Sequence, residues 1–455
     1  MSGTPALDAE RLLAPRLEQR ILPGLERIER ALDALGHPER AFTPVLVLGT
    51  NGKGSTAALL AGILGAHGLS VGLYTSPHLI AIEERIRVGG ATIAPARLAE
   101  LVAMLGRFPE LSFFEALTCA AVVEFAESRV EVAVMEAGLG GRWDASSAAP
   151  PAVALLTNVG TDHQRWLGST RAEIAAEKAA ALSGREAIVG AWDDEVEEVI
   201  RASAKPGTPI SLASAWATVQ PDPSVQCEPR SRGAEEPRSA SLAASPLPPC
   251  SSAPRLWAET RVPASNRVRF SVGGVSGEAE LPLAGGHQLA NLGLALAGAA
   301  ALAKHRLAPA LAAGTVRRGI EGVRWPGRLQ WSQAHGRRLL VDGAHNLEAM
   351  TALAAALDAM GLSGRVHLLF SCLDDKPLAA MAALLRPRVT GVTVVPIASP
   401  RATPVTALAA AFPGCRVAPA AAASLAELPA DRPTLVTGSL RLAGEVLAAA
   451  GGDHG

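Results

Sequence analysis

An α/β fold built around mostly parallel sheets, in two successive units, is predicted by three features of this sequence. Short aliphatic or β-branched runs alternate with longer Ala- and Leu-rich stretches, the rhythm of parallel strands joined by crossover helices. The rhythm breaks at a Pro- and Ser-rich stretch past the middle and resumes after residue 337. The chain has 455 residues, 49% of them hydrophobic and 19% charged, which is enough material for two cores.

Taken in order, "PVLVLG" (44–49) reads as a buried strand, and beyond Lys53 the residues Ala57, Leu60, Ala61 and Leu64 share one helical face. Further strands are predicted at "VGLY" (71–74), "VAVME" (132–136), "AVALLT" (152–157) and "AIVG" (187–190), with helices over 95–106, 114–128 and 170–182. Residues 221–254 hold eight prolines and seven serines and no aromatic residue. Such a stretch cannot recover its ordering entropy by burial, so it reads as a disordered surface insertion. Residues 255–283, with "RVRFSV" and "GEAELPL", predict a small β element on its far side. "RLLVDG", "VHLLFS", "VTVVP" and "TLVTGS" then each precede a helical stretch, a second α/β unit of about 130 residues. The units divide as 1–323 and 324–455.

Bulk properties narrow the function. The formal net charge is −1 and no dense Lys/Arg run occurs, which argues against nucleic acid as a partner. No apolar segment reaches the roughly 18 residues of a membrane span. "MSGTPALDAERLLAPRLEQR" lacks the apolar core of a signal peptide, so a cytoplasmic location is expected. The five cysteines (Cys119, Cys227, Cys250, Cys372 and Cys415) form no CxxC pair and are expected to be reduced.

The first chemical signal is "VLVLGTNGKGST", beginning at Val45. A strand, a glycine turn and a helix N-terminus form a layout that binds phosphate: glycines let backbone N–H groups approach the oxyanions, and the helix dipole favours negative charge. Gly49, Thr50, Asn51, Gly52, Lys53, Gly54 and Ser55 make up the loop, with Lys53 as the point charge for the β/γ-phosphates. The general pattern is met loosely. Gly54 stands where Ser or Thr is expected, the hydroxyl comes one residue later at Ser55, and the first pattern glycine falls on Val47.

This loop resembles that of the folylpolyglutamate synthase/dihydrofolate synthase family, ATP-dependent amide ligases related to the cell-wall Mur ligases. The likeness continues at "LYTSPHL" (73–79), "ERIRV" (84–88), "SFFEALT" (112–118), "MEAGLGGRWDA" (135–145) and "TNVGTDHQRWLGST" (157–170). It extends through "IAAEKAA" (174–180), "GGHQLANLGLA" (285–295), "RWPGRL" (324–329), "DGAHN" (342–346) and "GSL" (438–440). The resemblance implies an N-terminal P-loop-type ATP-binding domain and a smaller C-terminal Rossmann-like domain. It also implies the reaction: ATP phosphorylates the carboxylate of dihydropteroate or a folate, and the amino group of L-glutamate then displaces phosphate from the acyl phosphate. Bacterial members often carry out both the first and the later glutamate additions and are typically monomeric. ATP and Mg²⁺ at two sites are implied, with K⁺ a further candidate.

The same resemblance assigns residues. Ser55, Ser76 and Glu136 are oxygen donors of the kind Mg²⁺ accepts, and Glu136 ends a strand at the edge where α/β sheets place ligands. His163 is implied as ligand of a second Mg²⁺. Lys178, fifteen positions on, is implied as a lysine carboxylated by CO₂, since a lysine held neutral can be carbamylated. Asn291, Arg328 and Asp342 are implied nucleotide contacts, with His345 near phosphate or glutamate. Pterin or folate recognition falls to Ser112, Phe113, Phe114 and Glu115, to Trp143, Asp144 and Ala145, and to Gly24 in the Leu22–Gly24 segment. One of the two phenylalanines is expected to be ordinary core. Taken alone, Ser76 would be a turn residue before Pro77, His163 a polar loop residue and Lys178 a solvated charge. The sequence departs from the family at "DASS" (144–147), at Leu347 after "DGAHN", and at "EKAAAL" (177–182), which bears on substrate preference. A Mur-type ligase of UDP-muramyl substrates is the second reading, weakened because the phosphate loop already begins at residue 49. A nucleotide-binding regulator without catalysis is the third, weakened by the intact Lys53, Glu136, His163, Lys178 and Asp342.

Overall fold

The computed structural model describes residues 8–17, 23–222 and 266–451. Eight strands form the first sheet: β1 (Thr43–Leu48), β2 (Val71–Tyr74), β3 (Ile86–Val88), β4 (Ala91–Thr92), β5 (Val132–Glu136), β6 (Val153–Leu156), β7 (Glu186–Val189) and β8 (Ile210–Leu212). Their order is β4-β3-β2-β5-β1-β6-β7-β8, parallel throughout except at the β2/β3 and β3/β4 edge. The predicted mostly parallel α/β sheet is therefore present, and its first five predicted strands fall within a residue of their expected ends.

The reason for the unbroken apolar run in β1 is visible in its neighbours. Leu46 and Leu48 join one core, Val45 and Val47 the other, so both faces of the sheet are covered. The helix Lys53–Ala66 was expected to bury one face. Instead Thr56, Ala58, Leu59 and Ile63 are buried along with Ala57, Leu60 and Leu64. Helices His287–Lys304 and Ala313–Glu321 pack against it, the first of them lying beside it on β6 and β7, which leaves it almost no solvent face.

A three-stranded antiparallel sheet follows: β9 (Ala217–Pro221), β10 (Arg267–Val272) and β11 (Val275–Glu280), in the order β11-β10-β9. Pro221 and Asp222, expected inside the insertion, belong to this sheet. Pro221 opposes Val268, and the Asp222 N–H donates to Arg267 O at 3.0 Å. Residues 223–254 of the insertion, with Cys227 and Cys250, lie outside the described residues, as does Leu22. Cys119, Cys372 and Cys415 are free thiols.

The third sheet contains β12 (Gln330–Ala334), β13 (Arg337–Val341), β14 (Val366–Phe370), β15 (Val389–Val394), β16 (Arg416–Val417) and β17 (Thr434–Thr437), in the order β12-β13-β17-β14-β15-β16. Only the β12/β13 hairpin is antiparallel. Leu340, Leu368 and Phe370 enter one core and Leu339, Val341 and Leu369 the other, again covering both faces. The loop Ser76–Ala81 crosses to this unit. Leu79 and Ile80 pack on its core, and a Cβ at Gly444 would stand 1.8 Å from Leu79 O.

Candidate functional site

The carboxyl ends of β1, β5 and β6 lie side by side, with Val47 opposite Glu136 and Leu48 opposite Leu156. This is the sheet edge at which open α/β folds receive ligands. The loop leaving β1 requires glycine at two points. Gly49 has φ +138°, and a Cβ there would be 1.8 Å from Thr157 Oγ1; Gly52 has φ +84°, and a Cβ would be 2.2 Å from Asn291 Oδ1. The end of β6 clamps the loop. The Thr50 N–H donates to Asn158 O (3.0 Å) and the Asn51 N–H to Asn158 Oδ1 (3.1 Å). Asn51 O in turn accepts from Thr157 Oγ1 (2.7 Å) and Asn158 Nδ2 (3.0 Å). The helix then starts at Lys53 with no side-chain cap on its N-terminus, so an anion is the natural partner for its first N–H groups. Lys53 Nζ folds back onto Gly49 O and Thr50 O, 3.1 Å from each.

Glu136 is 4% exposed, and its Oε2 accepts from the Ser76 N–H at 3.0 Å. Burial pushes its pKa above the usual carboxylate range, against the pull of Lys53, the Ser76 amide, Arg328 and Arg85. A divalent cation would restore the ionised form, and Ser55, itself buried, and Ser76 add hard oxygens from neighbouring segments. Among the described residues no cluster of three or more His, Cys, Asp or Glu side chains forms a ready metal cage. That suits Mg²⁺ on a triphosphate, which takes one or two protein ligands and keeps phosphate oxygens and water for the rest. The donor set fits such an ion.

Behind the loop, the buried Lys178 donates from Nζ to Gly49 O at 2.9 Å. Burial first, then the charge of Lys53, lowers its pKa to about 7. His163 sits in a left-handed conformation (φ 62°), and burial, with Lys376, Lys53 and Lys178 nearby, lowers its pKa to about 4 against the opposing pull of Asp162. Both groups have a neutral form at physiological pH, as a metal ligand or a CO₂ acceptor must.

Asp162 is a residue the sequence reading missed. Its Oδ1 accepts from Lys376 Nζ at 2.7 Å and its Oδ2 from Asn346 Nδ2 at 3.0 Å, both across the gap between the two large sheets. His163 Nε2 and His345 Nε2 each lie 3.9 Å from Oδ2. Burial pushes this carboxyl up, but His163, Lys376 and His345 together hold it well below the usual range. Asn346 Nδ2 also donates to Asn51 Oδ1 (2.9 Å), while Glu348 Oε1 accepts from the Thr161 N–H (2.8 Å) and Oγ1 (2.7 Å). An aspartate adjoining the histidine of "TDH" was a signal for Asp162; nothing local marks Lys376.

Asp342 is buried with both oxygens on backbone amides, Leu329 N–H and Ala344 N–H, each at 2.9 Å. It ties the turn after Gly327 to the end of β13. Arg328 donates to Gly327 O (2.9 Å) and is influenced by both Asp342 and Glu136, so it spans the two units; burial lowers its pKa. The ring of His345 contacts Gly343 O through Nδ1 at 2.8 Å. Asn291 donates from Nδ2 to Gln288 Oε1 (2.8 Å), leaving Oδ1 under Gly52.

The acceptor-side candidates separate into lining and support. Ser112 and Glu115 form the capping box of helix Phe113–Glu127, and Glu115 also pairs with Arg27 at 3.0 Å. Arg27 donates to Gly24 O (3.3 Å), which brings Gly24, Ser112 and Glu115 into one patch. Phe114 packs on Tyr74 (centroids 5.8 Å apart) and over Gly138, whose Cβ would stand 2.7 Å from the ring. Both phenylalanines are partly buried against the first core, and the Arg85 guanidinium lies 5.4 Å from the centre of the Phe113 ring. Asp144 is buried and accepts from Leu139 N–H (2.8 Å), Ser146 N–H (3.0 Å) and Ser146 Oγ (2.5 Å), so it shapes its own glycine turn. Ala145 beside it is buried, whereas Trp143 is 49% exposed.

Two families match the chain: the Mur ligase middle domain over residues 47–220 and the Mur ligase glutamate ligase domain over 327–445. The chain is 32% identical over 435 residues to folylpolyglutamate synthase of Lacticaseibacillus casei, with 92% of each chain covered. It is 32% identical over 387 residues to a probable bifunctional folylpolyglutamate synthase/dihydropteroate synthase of Haloferax volcanii, covering 82% of this chain but 41% of that longer protein. Mycobacterium tuberculosis folylpolyglutamate synthase complexed with ADP superposes at a TM-score of 0.78, with 30% identity and 98% of both chains covered. A bifunctional folylpolyglutamate synthase/dihydrofolate synthase with Mn, AMPPNP and L-glutamate bound gives a TM-score of 0.76 at 25% identity, covering 97% of this chain and 98% of that one.

Proposed function

The chain belongs to the folylpolyglutamate synthase/dihydrofolate synthase family of the Mur ligase superfamily, and we propose how its residues divide the work of an ATP-dependent ligase that joins L-glutamate to a folate or its pteroate precursor. The N–H groups of Gly52 to Ser55 and Lys53 Nζ hold the β/γ-phosphates, with Gly49, Thr50 and Asn51 shaping the loop through the end of β6. Glu136, Ser55 and Ser76 hold the divalent ion bound with ATP. That ion, when present, neutralises charge on the phosphates and on the group in flight. His163 and Lys178, the latter as its carbamate, serve a second Mg²⁺, and K⁺ is a further cation of the same region. Asn291, Arg328 and Asp342 border the nucleotide, with Asp342 acting through the backbone turn it secures. His345 and Asp162 line the gap where the glutamate amine would arrive.

Gly24, Ser112, Phe113, Trp143 and Ala145 line the pteroate site, supported by Phe114, Glu115 and Asp144. The contacts between Asp162 and Lys376, Asn51 and Asn346, and Thr161 and Glu348 bring the two units over the reactants. Such closure keeps water from an activated carboxyl group. We read the chain as bifunctional, adding the first and later glutamates, and as a monomer of the cytoplasm with no nucleic acid or membrane partner. Among the described residues no helix is long and apolar enough to cross a membrane.

The observation that supports this most is the meeting of an uncapped helix N-terminus with a buried, cation-seeking Glu136 at one sheet edge. The test is ADP release by purified protein given ATP and Mg²⁺ with glutamate and either dihydropteroate or tetrahydrofolate. Release with both acceptors is expected. Turnover on UDP-muramyl substrates instead, or ATP binding with no turnover on any acceptor, would overturn the reading.

A further inference from the structure

Gly54 stands where the general phosphate loop carries Ser or Thr, and its own backbone does not explain it, for its φ is not positive. Its surroundings do. A Cβ at Gly54 would stand 2.9 Å from Cζ2 and 3.4 Å from Cε2 of Trp325, and 3.3 Å from Oε2 of Glu136. The indole of a residue from the segment joining the two large sheets thus occupies the space beside the first turn of the phosphate helix. Its Nε1–H is buried without a hydrogen-bond partner. So is Nε of Arg87, whose guanidinium carbon lies 5.9 Å from the Trp325 ring centre. Burying a donor unpaired is unfavourable, so the hydrogen bonding of the segment does not account for the indole's position.

Three residues after Trp325 comes Arg328, through Pro326 with its fixed φ and Gly327 at φ +70°. There is little slack between indole and guanidinium. We propose that Trp325 is a positioning residue: seated on Gly54, it sets the spacing between the connecting segment and the nucleotide loop, and so delivers Arg328 to the side of Glu136. On this account Gly54 is glycine to admit the indole, and a side chain there would displace Arg328 without touching the phosphate-binding amides. The inference rests on the nucleotide reading of the loop.

The experiment is a rescue. Gly54→Ala is compatible with the helical backbone and should fold, since alanine is the better helix former. It is expected to raise the dissociation constant of AMPPNP with Mg²⁺, read by calorimetry, and the KM for ATP about tenfold. The KM for glutamate should stay within about twofold, because the perturbation is confined to the nucleotide side. Adding Trp325→Phe, whose single ring removes the offending edge, should bring AMPPNP binding back to within about threefold of wild type. A double variant no better than Gly54→Ala would overturn the inference, for then the phosphate or the Glu136 carboxylate, 3.3 Å from the added methyl, demands the glycine. So would a Trp325→Ala variant whose melting temperature and every kinetic constant shift together with no selective loss on the ATP side. Failed rescue sinks this inference alone; a wild-type chain that does not bind AMPPNP with Mg²⁺ sinks the nucleotide reading as well.

Discussion

Replacing Lys178 by methionine should make the protein more stable and nearly inactive. An ordinary lysine at pH 7 is neutral about three times in ten thousand, whereas a group with a pKa of about 7 is neutral about half the time. The sign of the stability effect follows from linkage. The folded-state pKa is lowered, so below pH 7 both folded and unfolded chains carry the proton and the folded one bears the full cost of a buried charge. That cost falls as pH rises from about 7 to 10.5, where only the unfolded chain still binds the proton. At about 1.4 kcal/mol for each tenfold change in proton affinity, the gap between 10.5 and about 7 corresponds to a cost of about 5 kcal/mol at low pH. Methionine fills similar volume without the charge but forfeits the bond to Gly49 O, about 1 kcal/mol. The expected net gain is about 2–4 kcal/mol, and a rise in melting temperature of about 3–6 °C for a unit of this size. The scan belongs at pH 7 in metal-free, CO₂-stripped buffer, since a carbamate would remove the cation in the wild type. Turnover should fall at least about a hundredfold, as loss of a metal-site group commonly costs. A destabilised variant that keeps its activity would refute the reasoning and leave Lys178 as a mere anchor for the loop.

Further outcomes are expected. Asp162→Asn leaves the buried Lys376 with only the more distant, partly exposed Asp375 (3.9 Å) as counter-charge and should cost about 3 kcal/mol of the contact between the two units, read as a second, earlier transition in denaturant; an unchanged single transition would show the contact contributes little. Because His163, Lys376 and His345 hold the Asp162 pKa down, its contribution is fully present above about pH 4 and disappears only in more acidic solution. Phe114→Ala, which loses the Tyr74 ring contact as well as partly buried area, should cost about 1–3 kcal/mol of stability and more than Phe113→Ala, which should chiefly raise the KM for dihydropteroate or folate. The reverse assignment of the two effects would mean the acceptor ring lies on the other phenylalanine.

What could be read in advance follows what is local. The strand, glycine turn and helix after Val45 are specified by residues within one short stretch, so alternation and turn chemistry locate them. The apolar run of β1 marked a buried strand, and a core lies on each of its faces. The helix Lys53–Ala66 shows the limit: one face was legible, yet helices from residues 287 and 313 onward cover further sides, and sequence spacing within a single helix carries no trace of those partners. Glu115 and Asp144 show another. Their motif positions are as conspicuous as those of Phe113 and Trp143, but the structure turns their oxygens toward Arg27 and Ser112, and toward Leu139 and Ser146. A motif identifies a neighbourhood, and only the direction of a side chain separates lining from support.

Asp162 and Lys376 lie at the centre of the gap, yet their pairing leaves no local trace in the sequence. They are 214 positions apart, and neither stands in a periodic pattern. Lys376 follows two aspartates, which in sequence suggests a solvated, self-paired charge, yet its side chain is 4% exposed and reaches across to the other sheet. The arrangement has a consequence for how the site must work. Lys53 and the half-protonated Lys178 both lean on Gly49 O from one side, while Lys376 pairs with Asp162 from the other, beside two histidines whose lowered pKa values leave them neutral at pH 7. Cations therefore converge on a region whose fixed carboxylates are few, and each is desolvated as the two units meet. Taking that much positive charge out of water is costly unless anions arrive with it. A triphosphate and a carboxylate substrate supply them, so closure and substrate binding are coupled by charge as well as by fit, and the closed form is favoured most when both anions are in place.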